Sequence, residues 1–171
     1  MLNDTTRVNN YSKPQKTVER YNFITEELLT ILDSSPKAFV YLLKLACSKA
    51  FNLSEEDAFR IIDDLSERVP QSELESALGS IDNSTLIELK KRPEISTDII
   101  QVLDEDGFQL AALLARHTYG DMSETSDDQA LLNDIAVKTG SGTYVTSYKQ
   151  GDFHIRVSTN LPSYQTILEL R

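Results

Sequence analysis

The chain has 171 residues, is 40% hydrophobic and carries a formal net charge of −10, which suits one compact domain that buries about 70% of its unfolded surface. With no long uninterrupted apolar run and no charged-then-apolar leader, neither a membrane span nor a signal peptide is expected, and the expected location is cytoplasmic. A single cysteine, Cys47, excludes an internal disulfide and Cys/His metal clusters, and its apolar neighbours predict a buried thiol.

Residues 1–18 are polar, slightly basic and interrupted by Pro14, a composition expected of a disordered arm. The remainder, 19–171, reads as a single globular domain that opens with a helical hairpin over 19–52. Its first helix follows from Val18, Tyr21, Phe23, Ile24, Leu28, Leu29, Ile31 and Leu32, which recur at spacings of three and four. Ser35 and Pro36 then start a second helix, 36–51, apolar over most of its circumference and therefore the expected centre of the fold.

Over 53–117 one pattern occurs three times: a serine, an amphipathic run, and an aspartate ten residues after the serine, at Ser54/Asp64, Ser72/Asp82 and Ser96/Asp106. Each serine is a candidate N-cap followed by acids that the helix dipole favours. The expected buried faces are Ala58, Phe59, Ile61, Ile62 and Leu65 in the first copy and Leu74, Ala77, Leu78 and Ile81 in the second. In the third they are Ile99, Ile100, Val102 and Leu103. A short helix is expected over 83–89 and another from Phe108 to about His117, with Gly107 as the stop between the last two. Short helices separated by proline-containing breaks cannot each bury a face alone, so they must stack.

The stretch LKKRPEISTDIIQVLDEDGFQLAALLARH resembles the short HEAT-like helical repeats, the similarity covering about residues 65–117. That resemblance implies stacked helix pairs serving as a scaffold for binding proteins, occasionally nucleic acid, and it carries over no individual binding residue.

A polar linker, 119–125, leads to a helix over 126–139 capped by Ser126 and stopped by Gly140, with Ala130, Leu131, Leu132, Ile135 and Val137 as its apolar side. From 143 to 170 the period changes from 3.6 to 2. With Gln150-Gly151 as the loop, Lys149 faces Asp152, and Tyr148, Thr146 and Tyr144 stand opposite Phe153, Ile155 and Val157 on an apolar face. Ser147 and Val145 stand opposite His154 and Arg156 on a polar one. The last run, YQTILELR, fits a third strand better than a helix, because a lone hairpin is only marginally stable. Together these features predict a mainly α fold, a HEAT-like bundle of short stacked helices with a small C-terminal antiparallel β-hairpin or three-stranded meander.

No catalytic, cofactor-binding or metal-ligating signature stands out. His117 sits at a helix end where an imidazolium would complement the dipole, and the Ser147/His154 pair lacks a third group and an oxyanion hole. The run Asp104-Glu105-Asp106-Gly107 fails as an EF-hand loop, since Val102 and Leu113 would occupy ligand positions. Charge carries more information. Between Ser54 and Asp106 there are fifteen acids against five bases, so this segment holds the whole −10 and the rest has twelve of each. Such a surface repels nucleic acid and anionic lipid and attracts a basic protein at low salt, although a merely solubilising face has the same composition.

The expected function is therefore a non-enzymatic adaptor or regulator that binds a protein partner through an acidic helical face or a sheet edge, with Asp63, Asp64, Asp104, Glu105 and Asp106 as contact candidates. An acidic inhibitor or immunity protein that imitates nucleic acid and blocks a nuclease is the alternative. A helix-turn-helix DNA binder is disfavoured by the acidic helices, and no membrane partner is expected.

Overall fold

The computed structural model describes residues 12–48, 51, 53–79, 85–103 and 107–171, with side chains from Tyr21 onward. Among these residues the fold is mainly α, with seven helices and one four-stranded mixed sheet.

Helix α1 (Ser12–Ser34) starts six residues earlier than the apolar spacing predicts. It buries Ile24, Leu28, Ile31 and Leu32, one stripe at helical spacing. Helix α2 (Pro36–Cys47) follows at once, its first turn capped by Ser35, whose hydroxyl accepts from the Ala38 N–H at 3.4 Å. Cys47 is exposed rather than buried, because it faces away from the stripe formed by Phe39, Leu42 and Ala46. Helix α3 (Glu55–Arg68) begins with a capping box. The Ser54 hydroxyl accepts from the Asp57 N–H at 3.1 Å, and the Asp57 carboxylate accepts from the Ser54 N–H at 3.4 Å. Its inward stripe is Asp57, Ile61 and Leu65.

The other two copies of the serine pattern do not repeat this geometry. Helix α4 (Gln71–Gly79) starts before Ser72, which lies inside the first turn instead of capping it. Helix α5 (Thr97–Val102) follows Ser96, whose hydroxyl makes no cap bond and is buried without a partner. Between them residues 85–93 run as an irregular segment and not as a helix. The Leu86 and Ile87 amides donate to the Thr118 carbonyl at 2.8 and 3.1 Å. A strand, β1 (Glu94–Ile95), is inserted just before α5. Residues 81–84 and 104–106, including Ile81 and Asp82, lie outside the described residues. Among the described residues α4 packs on α2, whereas α5 packs on the sheet, so these two helices do not stack as a HEAT-like pair.

As expected, α2 is the centre of the helical part, packing against α1, α3, α4 and α6 (Phe108–Thr118), and α6 joins that part to the sheet. Phe108, Ala112 and Ala115 join the core made with α1, α2 and α3, while Leu113 joins a second core under the sheet with Ile99, Tyr148, Ile155, Val157 and Leu168. Gly107 belongs to the start of this helix, at its N-cap position in the left-handed region. At the other end Gly120, also left-handed, closes a Schellman motif. The Gly120 N–H donates to the His117 carbonyl and the Asp121 N–H to the Arg116 carbonyl, at 3.2 and 2.9 Å.

The sheet has the order β1-β4-β3-β2. β2 (Thr143–Gln150) and β3 (Phe153–Asn160) form the expected hairpin, but Gln150 pairs with Phe153, so the loop is Gly151-Asp152. Glycine thereby takes the positive φ of the first loop position. The shift preserves both faces, because the partners move by two residues. Tyr148 now faces Ile155, and Ser147 faces Arg156 rather than His154. β4 (Gln165–Leu170) pairs antiparallel with β3, giving the third strand of the expected meander; β1 adds a fourth, parallel to β4.

β2 is an outer strand, and the chain seals it with side chains. On α7 (Asp127–Thr139) the Asn133 amide donates to the Val145 carbonyl at 2.6 Å and accepts from the Val145 N–H at 2.9 Å. Two residues on, the Ser147 N–H donates to Thr125 Oγ1 at 3.3 Å, and the Lys149 N–H donates to the Glu124 carboxylate at 2.5 Å. Residues 119–125 are thus a fastening loop and not a passive linker. The helix is turned over relative to its apolar pattern: Asn133 and Ala136 are buried, and Leu131, Leu132 and Ile135 face solvent. Removing a side chain that satisfies a buried donor and acceptor strands both, at about 1–3 kcal/mol each. Asn133→Ala should therefore lower stability by about 2–4 kcal/mol in urea unfolding of the dilute protein, while Leu132→Ala changes it by less than about 0.5 kcal/mol. Equal effects would show that α7 is held by its leucines.

Candidate partner-binding face

Of the contact candidates, Asp63 and Asp64 face different ways. Asp63 is exposed on α3. Asp64, one residue on and about 100° around the helix, is half-buried and lies 4.0 Å from Arg68, whose guanidinium is 2.5 Å from Glu26 of α1. Asp64 thus serves the α1/α3 junction, and the Arg68 partner holds the Glu26 carboxyl below its ordinary range. Asp104, Glu105 and Asp106 lie outside the described residues.

What accompanies Asp63 is apolar. Phe59 and Ile62, expected in the core, are 59% and 38% exposed. The inward stripe at Asp57, Ile61 and Leu65 leaves Phe59 about 200° around from Ile61. Ala46 and Cys47 of α2, Leu53, and Ala58, Phe59 and Ile62 of α3 line a shallow groove of about 290 Å³. Partial shielding there pushes the Cys47 thiol above its ordinary pKa, which makes it a poor nucleophile. Glu55 closes one end, and Asp63 and Glu67 follow on the exposed side of α3. Arg60 is drawn to Glu56 at 2.8 Å. A second concavity, about 390 Å³, lies between Tyr41 of α2, Leu114 and Thr118 of α6 and Ile87 of the irregular segment; Glu88 is the charged residue on its wall.

The two histidines form no accessible site. His117 is fully buried, with Nδ1 2.7 Å from Thr146 Oγ1 and Nε2 2.8 Å from Thr159 Oγ1, which in turn lies 2.7 Å from Thr166 Oγ1. A neutral ring satisfies that arrangement by donating to one threonine and accepting from the other. Burial pushes its pKa down to about 3, so the expected imidazolium at a helix end is replaced by a neutral core group. His154 lies opposite Lys149 on the polar face of the sheet.

Beside His117, Arg116 is buried on the Schellman turn, its Nε 2.6 Å from Asp121 and its Nη2 3.0 Å from Glu124, with the guanidinium 4.2 Å above the Tyr148 ring centre. Burial opposes both charges, but Arg116 gains hydrogen bonds to Asp121 and Glu124, and Asp121 gains them from Ser123 and Arg116. The guanidinium is thus held above, and the carboxyl below, its ordinary value. Tyr148 Oη donates to the Asp121 carbonyl at 2.8 Å, while burial pushes the Tyr144 phenol up to about 12. The pair is enclosed, so it fastens the loop and offers nothing to a ligand. The Gly after Arg-His-Thr-Tyr was its sequence signal; no pattern marked Phe59 as exposed.

Among the described residues no group of three His, Cys, Asp or Glu side chains is arranged to hold a metal ion, and no helix is long and apolar enough to cross a membrane. Compared with family models, curated proteins and solved structures, the chain matches none.

The histidine fixes a pH dependence. Its folded pKa lies below its unfolded value of about 6.5, so below that pH the unfolded chain binds a proton that the folded chain refuses, and stability falls with pH. From pH 7 to pH 5 the loss should be about 2 kcal/mol, in a window above the titration of Asp121. His117→Gln should flatten the slope of unfolding free energy between pH 5 and pH 7; an unchanged slope would place its origin elsewhere.

Proposed function

We propose that this protein is a binding module that captures a protein partner on the α3 face. The supporting observation is the adjacency of an exposed aromatic, Phe59, and its apolar groove to unpaired acids on one helix. An amphipathic partner segment with an apolar anchor and basic flanks complements both halves. The acids add steering and salt dependence, while the anchor supplies most of the affinity. The β2 edge is a poor alternative, because its outward Val145 N–H and C=O and its Ser147 and Lys149 N–H groups are occupied by side chains. Imitation of nucleic acid is less well supported, since a phosphate mimic has no use for Phe59 and Ile62 at the centre of its face.

The test is capture with the intact chain as bait. Phe59→Glu and Asp63→Lys alter exposed side chains and leave the fold intact. Each should reduce a specifically retained protein by about tenfold or more, whereas Asp98→Lys on α5 should not, and added DNA should leave the bound protein in place. A partner held equally by both α3 variants would contradict the α3 face, and displacement by DNA would favour imitation of nucleic acid.

A further inference from the structure

We infer that the outer face of α7 is a homodimer contact, in which two copies of this chain pair their α7 helices antiparallel. This face lies on a different element from the α3 groove and does not depend on the function proposed for that groove. It exists because Asn133 and Ala136 are turned inward to the sheet, which leaves Leu131 and Ile135 61% and 50% exposed, with Leu132 beside them.

The residues around these two identify the occupant. Asp128, Leu131, Ile135 and Lys138 follow one another at spacings of three, four and three, the seam that packs against a neighbouring helix. The seam has an acid at its N-terminal end, two apolar residues in the middle and a base at its C-terminal end. Turned through a two-fold axis midway between Leu131 and Ile135, it meets itself in complement. Leu131 lies against the partner copy's isoleucine, Ile135 against its leucine, and Asp128 and Lys138 against the opposite charge at each end. A two-fold contact requires such a self-complementary patch, and antiparallel helices also oppose their dipoles favourably. Lys138 already reaches Asp134 of its own helix at 2.6 Å, so its ammonium is held on this side. The chain's −10 repels a second copy at long range, which screening at physiological salt confines to about 8 Å.

Sedimentation equilibrium of the full chain at physiological salt tests this directly. The mass should rise toward twice that of one chain with concentration, and Ile135→Asp should return it to one. Asp128→Lys alone and Lys138→Asp alone place like charges against each other and should each weaken the dimer by about tenfold. Asp128→Lys combined with Lys138→Asp should restore it to within a few-fold, which no change of net charge explains. Circular dichroism checks that each variant keeps its helices. A single-chain mass at concentrations up to about 1 mM, a dimer indifferent to Ile135→Asp, or a double variant as weak as the single ones would each overturn the proposal.

Discussion

An outer strand must find partners for every backbone group that points away from its sheet, and in this protein that requirement shapes the C-terminal half. β2 meets it in part with side chains of Glu124, Thr125 and Asn133 in place of another strand, which take the Val145 N–H and C=O and the Ser147 and Lys149 N–H groups. Covering the edge with a helix and a loop blocks edge-to-edge association. It also dictates which way α7 faces. A helix that must turn an asparagine toward the strand cannot also turn Leu131 and Ile135 there, since these lie two residues to either side of it.

The same loop begins at α6. The Schellman turn at Gly120 brings Asp121 back over the helix end, where it meets Arg116 of the last turn. Glycine is favoured there for its positive φ, and a Cβ would also make the Leu86 methyl, 2.8 Å away, turn aside. One buried guanidinium then orders Asp121, Ser123 and Glu124, and Glu124 reaches on to the Lys149 amide. Breaking such a pair leaves a charge uncompensated, whereas replacing it with apolar groups can be neutral, so its contribution is one of geometry more than of net stability. His117, one residue on, extends the polar seam through Thr146, Thr159 and Thr166 across three strands. α6 thus joins the two cores by its apolar stripes and fixes the loop by its polar last turn.

Much of this was legible in the sequence because local chemistry decided it. Ser35-Pro36, the Ser54 cap, the Gly140 stop and the period-2 runs at 143–170 all act within a few residues, and the helices and strands they delimit formed. The hairpin loop was displaced by one residue, from Gln150-Gly151 to Gly151-Asp152, because both choices keep the faces and only the positive φ at Gly151 separates them. What was not legible depended on distant partners. Ser72 and Ser96 resemble Ser54 in their neighbours, but Pro70 starts α4 earlier, and the pairing of Glu94 and Ile95 with β4 removes Ser96 from any stack. Phe59 and Leu131 look like core residues in any helical pattern. They are outside because Asp57 and Asn133, polar residues with specific backbone partners, took the inward positions. Of the candidate acids, Asp63 stays on the exposed α3 face and Asp64 turns to Arg68, a division that spacing around a helix allows but charge counting does not reveal.

The sealing of β2 by side chains is the claim from which the orientation of α7 and its exposed leucines follow. Amide hydrogen exchange at Val145 and Ser147 tests it most directly. On a sealed edge both amides exchange as slowly as the paired amides of β3, and Asn133→Ala releases Val145 selectively. Fast exchange at both in the unaltered protein would contradict it, because an outer strand whose amides are open to water imposes nothing on the helix beside it.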